Sequence, residues 1–152
     1  TGEATFFEIA GCYRRYHCPQ SRTLCLGEPA AALLKIEDVA LEGIDAVLSA
    51  AKPGATCHDL ATVFQGVLRK HGVEKESRIG YSVGLSYPPD WGERTISIRP
   101  GDMTELRENL VLHLIPAMWM EDFGLEITET FLVTAAGAEC LCDTPRRLYV
   151  KS

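Results

Sequence analysis

The sequence predicts an α+β domain in which two helices cover one face of a curved, mostly antiparallel sheet. Three observations lead there. Apolar residues recur at helical spacing between residues 29 and 72, strand-like runs fill the chain from residue 79 onward, and an earlier strand-like run, Thr5 to Ala10, precedes the helices. With 152 residues, 46% of them apolar and 24% charged, the chain has material for one hydrophobic core.

Thr5-Phe6-Phe7-Glu8-Ile9-Ala10 has the length and aromatic content of a buried strand, with a charged residue inside it, and Tyr13 to Leu26 can supply its partner. Pro29 suits the first turn of a helix. Leu33, Ile36, Ala40, Ile44, Val47 and Ala51 then recur at three- and four-residue steps until Pro53-Gly54 stops them. Thr56-x-x-Asp59 resembles a capping box, Leu60, Phe64, Val67 and Leu68 form the apolar stripe of a second helix, and Gly72 ends it. Ile79 to Tyr87, Thr95 to Ile98, Leu110 to Met120 and Leu125 to Thr134 read as strands. The last two read as a hairpin joined through Glu121-Asp122-Phe123-Gly124.

Composition narrows the function. A net charge of −6 offers no basic face for phosphates, so no nucleic-acid partner is expected. No apolar run reaches the roughly 20 residues of a membrane helix, so no membrane partner and a cytoplasmic location are expected. The six cysteines, at 12, 18, 25, 57, 140 and 142, form no CxxC pair and read as reduced thiols.

Four motifs stand in order: Ser21-Arg22-Thr23, Gly80-Tyr81-Ser82-Val83-Gly84-Leu85, Leu114-Ile115-Pro116, and Gly124-Leu125-Glu126-Ile127-Thr128-Glu129-Thr130. In that order they resemble the Arg-Thr strand, the Gly-His-x-x-Gly-Leu turn, the Glu-Pro strand and the final Glu-Asp-Thr strand of the pita-bread family, which includes methionine aminopeptidases, Xaa-Pro peptidases and creatinase. The resemblance implies a pita-bread fold. It also implies that residues 1–152 are the C-terminal portion of a single catalytic domain, with an N-terminal domain and the first part of the catalytic domain absent, and a homodimer in the full-length form. Thr1 in place of an initiator and an apolar run with no element before it lead to the same expectation of an incomplete domain.

At the five positions where the family's peptidases carry metal ligands, this sequence has Glu8, Pro19, Tyr81, Ile115 and Thr128. One carboxylate, a proline, a phenol, an isoleucine and a hydroxyl cannot hold two divalent ions, so neither a metal nor a cofactor is expected. Longer stretches resemble a metal-free branch of the family that opens a cyclic amidine: Phe7 to Gly11, Arg14 to Pro19, Gly84 to Thr95, Trp119 to Asp122 and Gly124 to Glu129. Creatinase-like members keep the histidine that Tyr81 replaces. The implied substrate is a small zwitterion, a cyclic amidine bearing a carboxylate, opened to an N-acetylated diaminobutyrate.

Strand alternation sends i and i+2 to one face. If the old ligand positions face inward, Glu8, Tyr81, His113 with Ile115, and Glu126 with Thr128 line one pocket, while Glu129 points away. Glu8 is the expected nucleophile, with general base as its alternative, and Glu126 the carboxylate that pairs with the amidinium. Tyr81 is a hydrogen-bond donor and His113 a proton shuttle. Trp91 and Trp119 would close the pocket beside Tyr87, Asp90, Glu93 and Glu121, and Arg22 or Arg94 would hold the substrate carboxylate. The competing readings make Glu8 a strand carboxylate paired with Arg14 or Arg22, the aromatics packing residues, and the whole chain either a peptidase-like or creatinase-like hydrolase or an inactive binding module.

Overall fold

The computed structural model describes residues 2–152, and Thr1 lies outside the described residues. Strands β1 (Ala4–Tyr13) and β2 (Tyr16–Leu26) form a long antiparallel hairpin. Its two-residue turn is Arg14-Arg15, both at positive φ (49° and 69°), the handedness that matches the twist of the flanking strands. The C-terminal strand β10 (Tyr149–Lys151) adds parallel to Leu24–Leu26, which makes this a three-stranded sheet.

Helix α1 (Ala31–Ala50) buries Leu33, Ile36, Ala40, Ile44 and Val47 of the stripe that the spacing predicts, and Val39 besides, while Ala51 is its C-cap. Pro29 does not enter its first turn. The N-cap is Ala30, in extended conformation, so the proline closes the segment before the helix. Helix α2 (Cys57–His71) starts on a complete capping box: Thr56 Oγ1 accepts from Asp59 N–H at 3.1 Å, and the Asp59 carboxylate accepts from Thr56 N–H at 2.8 Å. Gly72, at φ 66°, ends it in the left-handed conformation that glycine adopts without strain.

A five-stranded antiparallel sheet follows, in the order β4 (Gly92–Ile98), β3 (Gly80–Val83), β5 (Val111–Leu114), β8 (Glu129–Thr134), β9 (Gly137–Cys140). Strands β6 (Met118–Trp119) and β7 (Gly124–Leu125) make a small separate pair. The single sheet that the sequence suggested is therefore three. The α+β class and the two helices packed on the five-stranded sheet, α2 against β4 and α1 against β9, are as expected. Ile98, Leu112, Leu114, Phe131 and Val133 of that sheet join the buried face of both helices in one core.

The expected strand pair Leu110–Met120 and Leu125–Thr134 keeps its hairpin connection but is broken in both arms. Ile115–Ala117 carries Pro116, which has no N–H for a ladder. Opposite it, Glu126–Thr128 turns away from its hairpin partner to bond β2: Thr128 N–H donates to Ser21 O at 3.2 Å and Glu126 N–H to Thr23 Oγ1 at 2.8 Å. This detour joins the two larger sheets.

Gly43 sits where α1 crosses α2. A Cβ there would come within 2.8 Å of Phe64 Cδ2, and closer to Cε2, on a ring that is wholly buried. Helix propensity alone favours Gly43→Ala by about 1 kcal/mol, but overpacking a tight core costs about 1–3 kcal/mol. The variant is expected to lower stability on urea unfolding. A more stable variant would show that the crossing is loosely packed.

Candidate functional site

Antiparallel register places directly opposed side chains on the same face of a sheet. Across β3, β5 and β8 this aligns Tyr81, His113 and Thr130 in one row. On the β1–β2 hairpin it sets Glu8 opposite Ser21 and Phe6 opposite Thr23. The Glu126–Thr128 detour brings the two faces together. Glu8 Oε1 comes to 3.5 Å from His113 Nε2, and the Tyr81 and His113 ring centroids lie 5.5 Å apart.

Burial shapes the electrostatics of this cluster. Glu126 is 4% exposed, and its Oε1 receives no hydrogen bond from the protein. Burial first, and then the neighbouring Glu8, push its carboxyl up to about 7, against the pull of the Ser21 hydroxyl and the Lys75 ammonium. Burial likewise holds the fully enclosed His113 below the ordinary imidazole range, opposed by Glu8. Burial raises the Tyr81 phenol, whose oxygen accepts from Trp91 Nε1–H at 2.8 Å.

The remaining residues singled out in the sequence divide by position. Trp91 is tied to Tyr81, and with Arg78, Asp90 and Arg94 it borders a cavity of about 380 Å3. Asp90 accepts from Gly92 N–H and pairs with Arg94. Trp119 packs against Phe6 with ring centroids 5.3 Å apart and planes tilted by 60°, two residues from Glu8 on the same strand face, so it flanks the cluster although it is largely exposed. Thr128 Oγ1 is engaged by Ser21 N–H at 2.7 Å. Glu93 lies against Gly84, and Glu121 is exposed in the β6–β7 turn. Tyr87 is drawn instead to the tip of the β1–β2 hairpin, where Arg15 donates to its hydroxyl.

Arg22 requires a correction. It is a poor choice for a substrate carboxylate, because its guanidinium is buried on the opposite face of β2 and donates to four backbone carbonyls, those of Ser21, Thr128, Thr144 and Pro145. Glu129, which alternation sends away from the cluster, stands 3.8 Å from Arg22 and 3.7 Å from Arg146. Sequence reasoning missed Lys75 and Arg78. Lys75 Nζ donates to Ala117 O and Ser77 Oγ near Glu126, and Arg78 lies 4.6 Å over the Tyr81 ring. Nothing in the irregular stretch between α2 and β3 marks either residue. A cavity of about 680 Å3 surrounds the hairpin tip at Gly11, Tyr13, Tyr16 and Leu141, and none of the clustered carboxylates lines it.

The donor set does not fit a two-metal centre. Of the five positions, Pro19 and Ile115 offer no side-chain donor, while Thr128 and Tyr81 spend their oxygens on Ser21 N–H and Trp91 N–H. Among the described residues, no three His, Cys, Asp or Glu side chains converge in a way that could hold an ion.

Comparison with known proteins gives a consistent picture. The description "Metallopeptidase family M24" matches residues 1–135. Ectoine hydrolase of Halomonas elongata is 50% identical over 151 residues, 99% of this chain but 38% of that protein. Among solved structures, prolidase from Pyrococcus furiosus superimposes with a TM-score of 0.87 at 26% identity, covering 95% of this chain and 42% of that one. An X-Pro aminopeptidase from Thermotoga maritima reaches 0.89 at 24% identity, covering 98% and 42%, which speaks to the fold. The chain thus spans about two fifths of the length of the relatives it matches.

The raised Glu126 carboxyl has a consequence for stability. The folded protein keeps this proton up to about pH 7, whereas an unperturbed glutamate releases it near 4.5. The native state therefore binds more protons in that window, and its stability falls as pH rises through it. Glu126→Gln removes the penalty. It is expected to raise the melting temperature at pH 8 by roughly 2–4 °C, equivalent to ~1 kcal/mol for a chain of this size, and to have little effect at pH 4.5. An equal shift at both pH values would show that Glu126 titrates normally.

Proposed function

The chain belongs to metallopeptidase family M24, and from that premise we propose that it is the catalytic portion of a metal-independent hydrolase that opens the cyclic amidine ring of ectoine to an N-acetylated diaminobutyrate. The observation that carries this reading is that, beside ligand positions of which only Glu8 keeps a carboxylate, two carboxylates and a histidine, Glu8, Glu126 and His113, are brought together between the two larger sheets. The 50% identity to ectoine hydrolase supports the choice of substrate.

The chemistry follows from the protonation states. An amidinium is planar and cationic, so Glu8 attracts it and can attack its central carbon, forming a C–O bond as the C=N electron pair moves to nitrogen. A carboxyl raised to about 7 is half protonated at neutral pH, so Glu126 acts as the acid. It gives its proton to the ring nitrogen as that C–N bond breaks, rather than serving as a second counter-ion. Water then attacks the carbon of the Glu8-bound imidate. The imidate nitrogen still carries its proton from the amidinium, so His113 Nε2 takes one water proton and the Glu126 carboxylate takes the other as the C–O bond to Glu8 breaks, leaving an amide, the freed amine and a free Glu8 carboxylate. Tyr81 stands in the same row to donate a hydrogen bond where charge develops.

Glu8→Gln in the full-length protein is expected to reduce ectoine ring-opening by roughly 10³-fold or more, the scale on which enzymes lose rate when a nucleophile is removed. The wild-type kcat should fall as pH rises above about 7, where Glu126 loses its proton. Both are read by following ring-opened product with and without chelator. Cleavage of a proline dipeptide that depends on added manganese, with no ectoine turnover, would overturn the proposal.

A further inference from the structure

We infer that Thr130 is a positioning residue that fixes the tautomer of His113, holding a proton on Nδ1 so that Nε2 presents its lone pair to the Glu8 side of the cluster. The inference rests on the ring-opening reading for its catalytic meaning, but its structural part stands on hydrogen-bond geometry alone.

Thr130 is fully buried, and its hydroxyl makes two short contacts: 2.6 Å to the carbonyl oxygen of Pro19 and 2.9 Å to His113 Nδ1. A hydroxyl has one hydrogen. A carbonyl can only accept, so the 2.6 Å contact with Pro19 requires that hydrogen; otherwise two oxygen lone pairs would face each other at close range in a buried site. The Thr130 oxygen is then an acceptor toward the ring, and Nδ1 must be the donor. The acceptor of the hydroxyl hydrogen is the backbone carbonyl of Pro19. With proline at this position, the β2 backbone has no N–H to offer in its place.

At the other end of the ring, Nε2 receives no hydrogen bond from the protein and faces Glu8 Oε1 at 3.5 Å, beyond the length of a good N–H···O bond. A neutral imidazole with Nδ1–H has its lone pair there. Two acceptors, Nε2 and Glu8 Oε1, thus converge on one point, which suits a group carrying protons to both: the N–H of an amidinium, or the water that completes hydrolysis. The opposite tautomer would point an N–H at Glu8 and could take no proton from water. This is the relation by which a third group orients the base in a nucleophile–base pair.

The test uses the full-length protein with 15N-labelled histidine. For the wild type, the nitrogen shifts of neutral His113 should report Nδ1–H, which holds whether or not ectoine is the substrate. Thr130→Val keeps the shape and removes the acceptor. It is expected to abolish the Nδ1–H signature and to lower kcat by roughly 10–100-fold, a part of the 10²–10⁴ that acid–base catalysis supplies, with KM little changed. Thr130→Ser should restore both. An Nε2–H tautomer in the wild type would overturn the inference, as would a folded Thr130→Val protein with unchanged tautomer and kcat. Should the valine variant fail to fold, the wild-type tautomer and the serine variant still decide. Absence of wild-type ectoine turnover with an intact Nδ1–H signature would defeat the substrate assignment and leave the role of Thr130 standing.

Discussion

Everything at the site depends on how three residues of β2 hold three residues of a broken strand. Ser21 and Thr23 exchange four hydrogen bonds with Glu126 and Thr128: Ser21 N–H to Thr128 Oγ1, Thr128 N–H to Ser21 O, Glu126 N–H to Thr23 Oγ1, and Thr23 Oγ1–H to Glu126 O. Each is buried, so the net gain of about 0.5–1.5 kcal/mol per bond understates the matter, because losing a partner strands a buried polar group at greater cost. Arg22, between the two bonded residues, caps the carbonyls of Ser21 and Thr128 from the other face. Its guanidinium has the planar array of donors that such a junction of carbonyls needs, which lysine lacks. Together with the Thr130 hydroxyl bond to Pro19 O and the His17 N–H bond to Gly84 O, this seam holds the β1–β2 hairpin against the five-stranded sheet and so sets Glu8 near His113.

Given the seam, the electrostatics of the cluster follow from enclosure. Two carboxylates and an imidazole in one buried space cannot all carry charge, and the proton settles on the most enclosed acid, Glu126. Glu8, on the more open strand, is left to meet a cation. In the ring-opening reading that we propose, this unequal burial of two like groups divides the roles of acid and nucleophile.

The sequence was most informative where a single periodicity governs an element. The apolar stripes of both helices, the capping box at Thr56 and the glycine stop at 72 all match the structure, because each depends on contacts within a few residues. Strand alternation placed Glu126 and Glu129 on opposite sides, and they lie there, one beside Glu8 and the other beside Arg22 and Arg146. It could not foresee that Glu126–Thr128 would leave its hairpin partner for β2, since that choice is made by residues more than 100 positions earlier. The same distance hid the role of Arg22: its acceptors are carbonyls of segments near residues 128 and 144, and any side chain could have supplied those. Strands β9 and β10 are short edge elements, too brief for alternation to register.

The substitutions at the family's ligand positions therefore do more than remove donors. A carboxylate at residue 19 would need its side chain in the site. Proline contributes only a backbone carbonyl, and that carbonyl takes the Thr130 proton and so directs the His113 tautomer. Thr128, where the family has a glutamate, turns its oxygen to the Ser21 amide and becomes part of the seam. Ile115, at the break before Pro116, adds apolar bulk in place of a charge. Thr128, Tyr81 and the Pro19 carbonyl thus make bonds within the protein, whereas Ile115 makes none. These bonds help to hold the site's geometry, and a buried hydrogen-bond network specifies one arrangement only while its members stay satisfied. Of the buried side-chain atoms without a hydrogen-bond partner, which include atoms of His17, Gln20, Ser21 and Glu129, two belong to the groups proposed to move protons, Glu126 Oε1 and His113 Nε2.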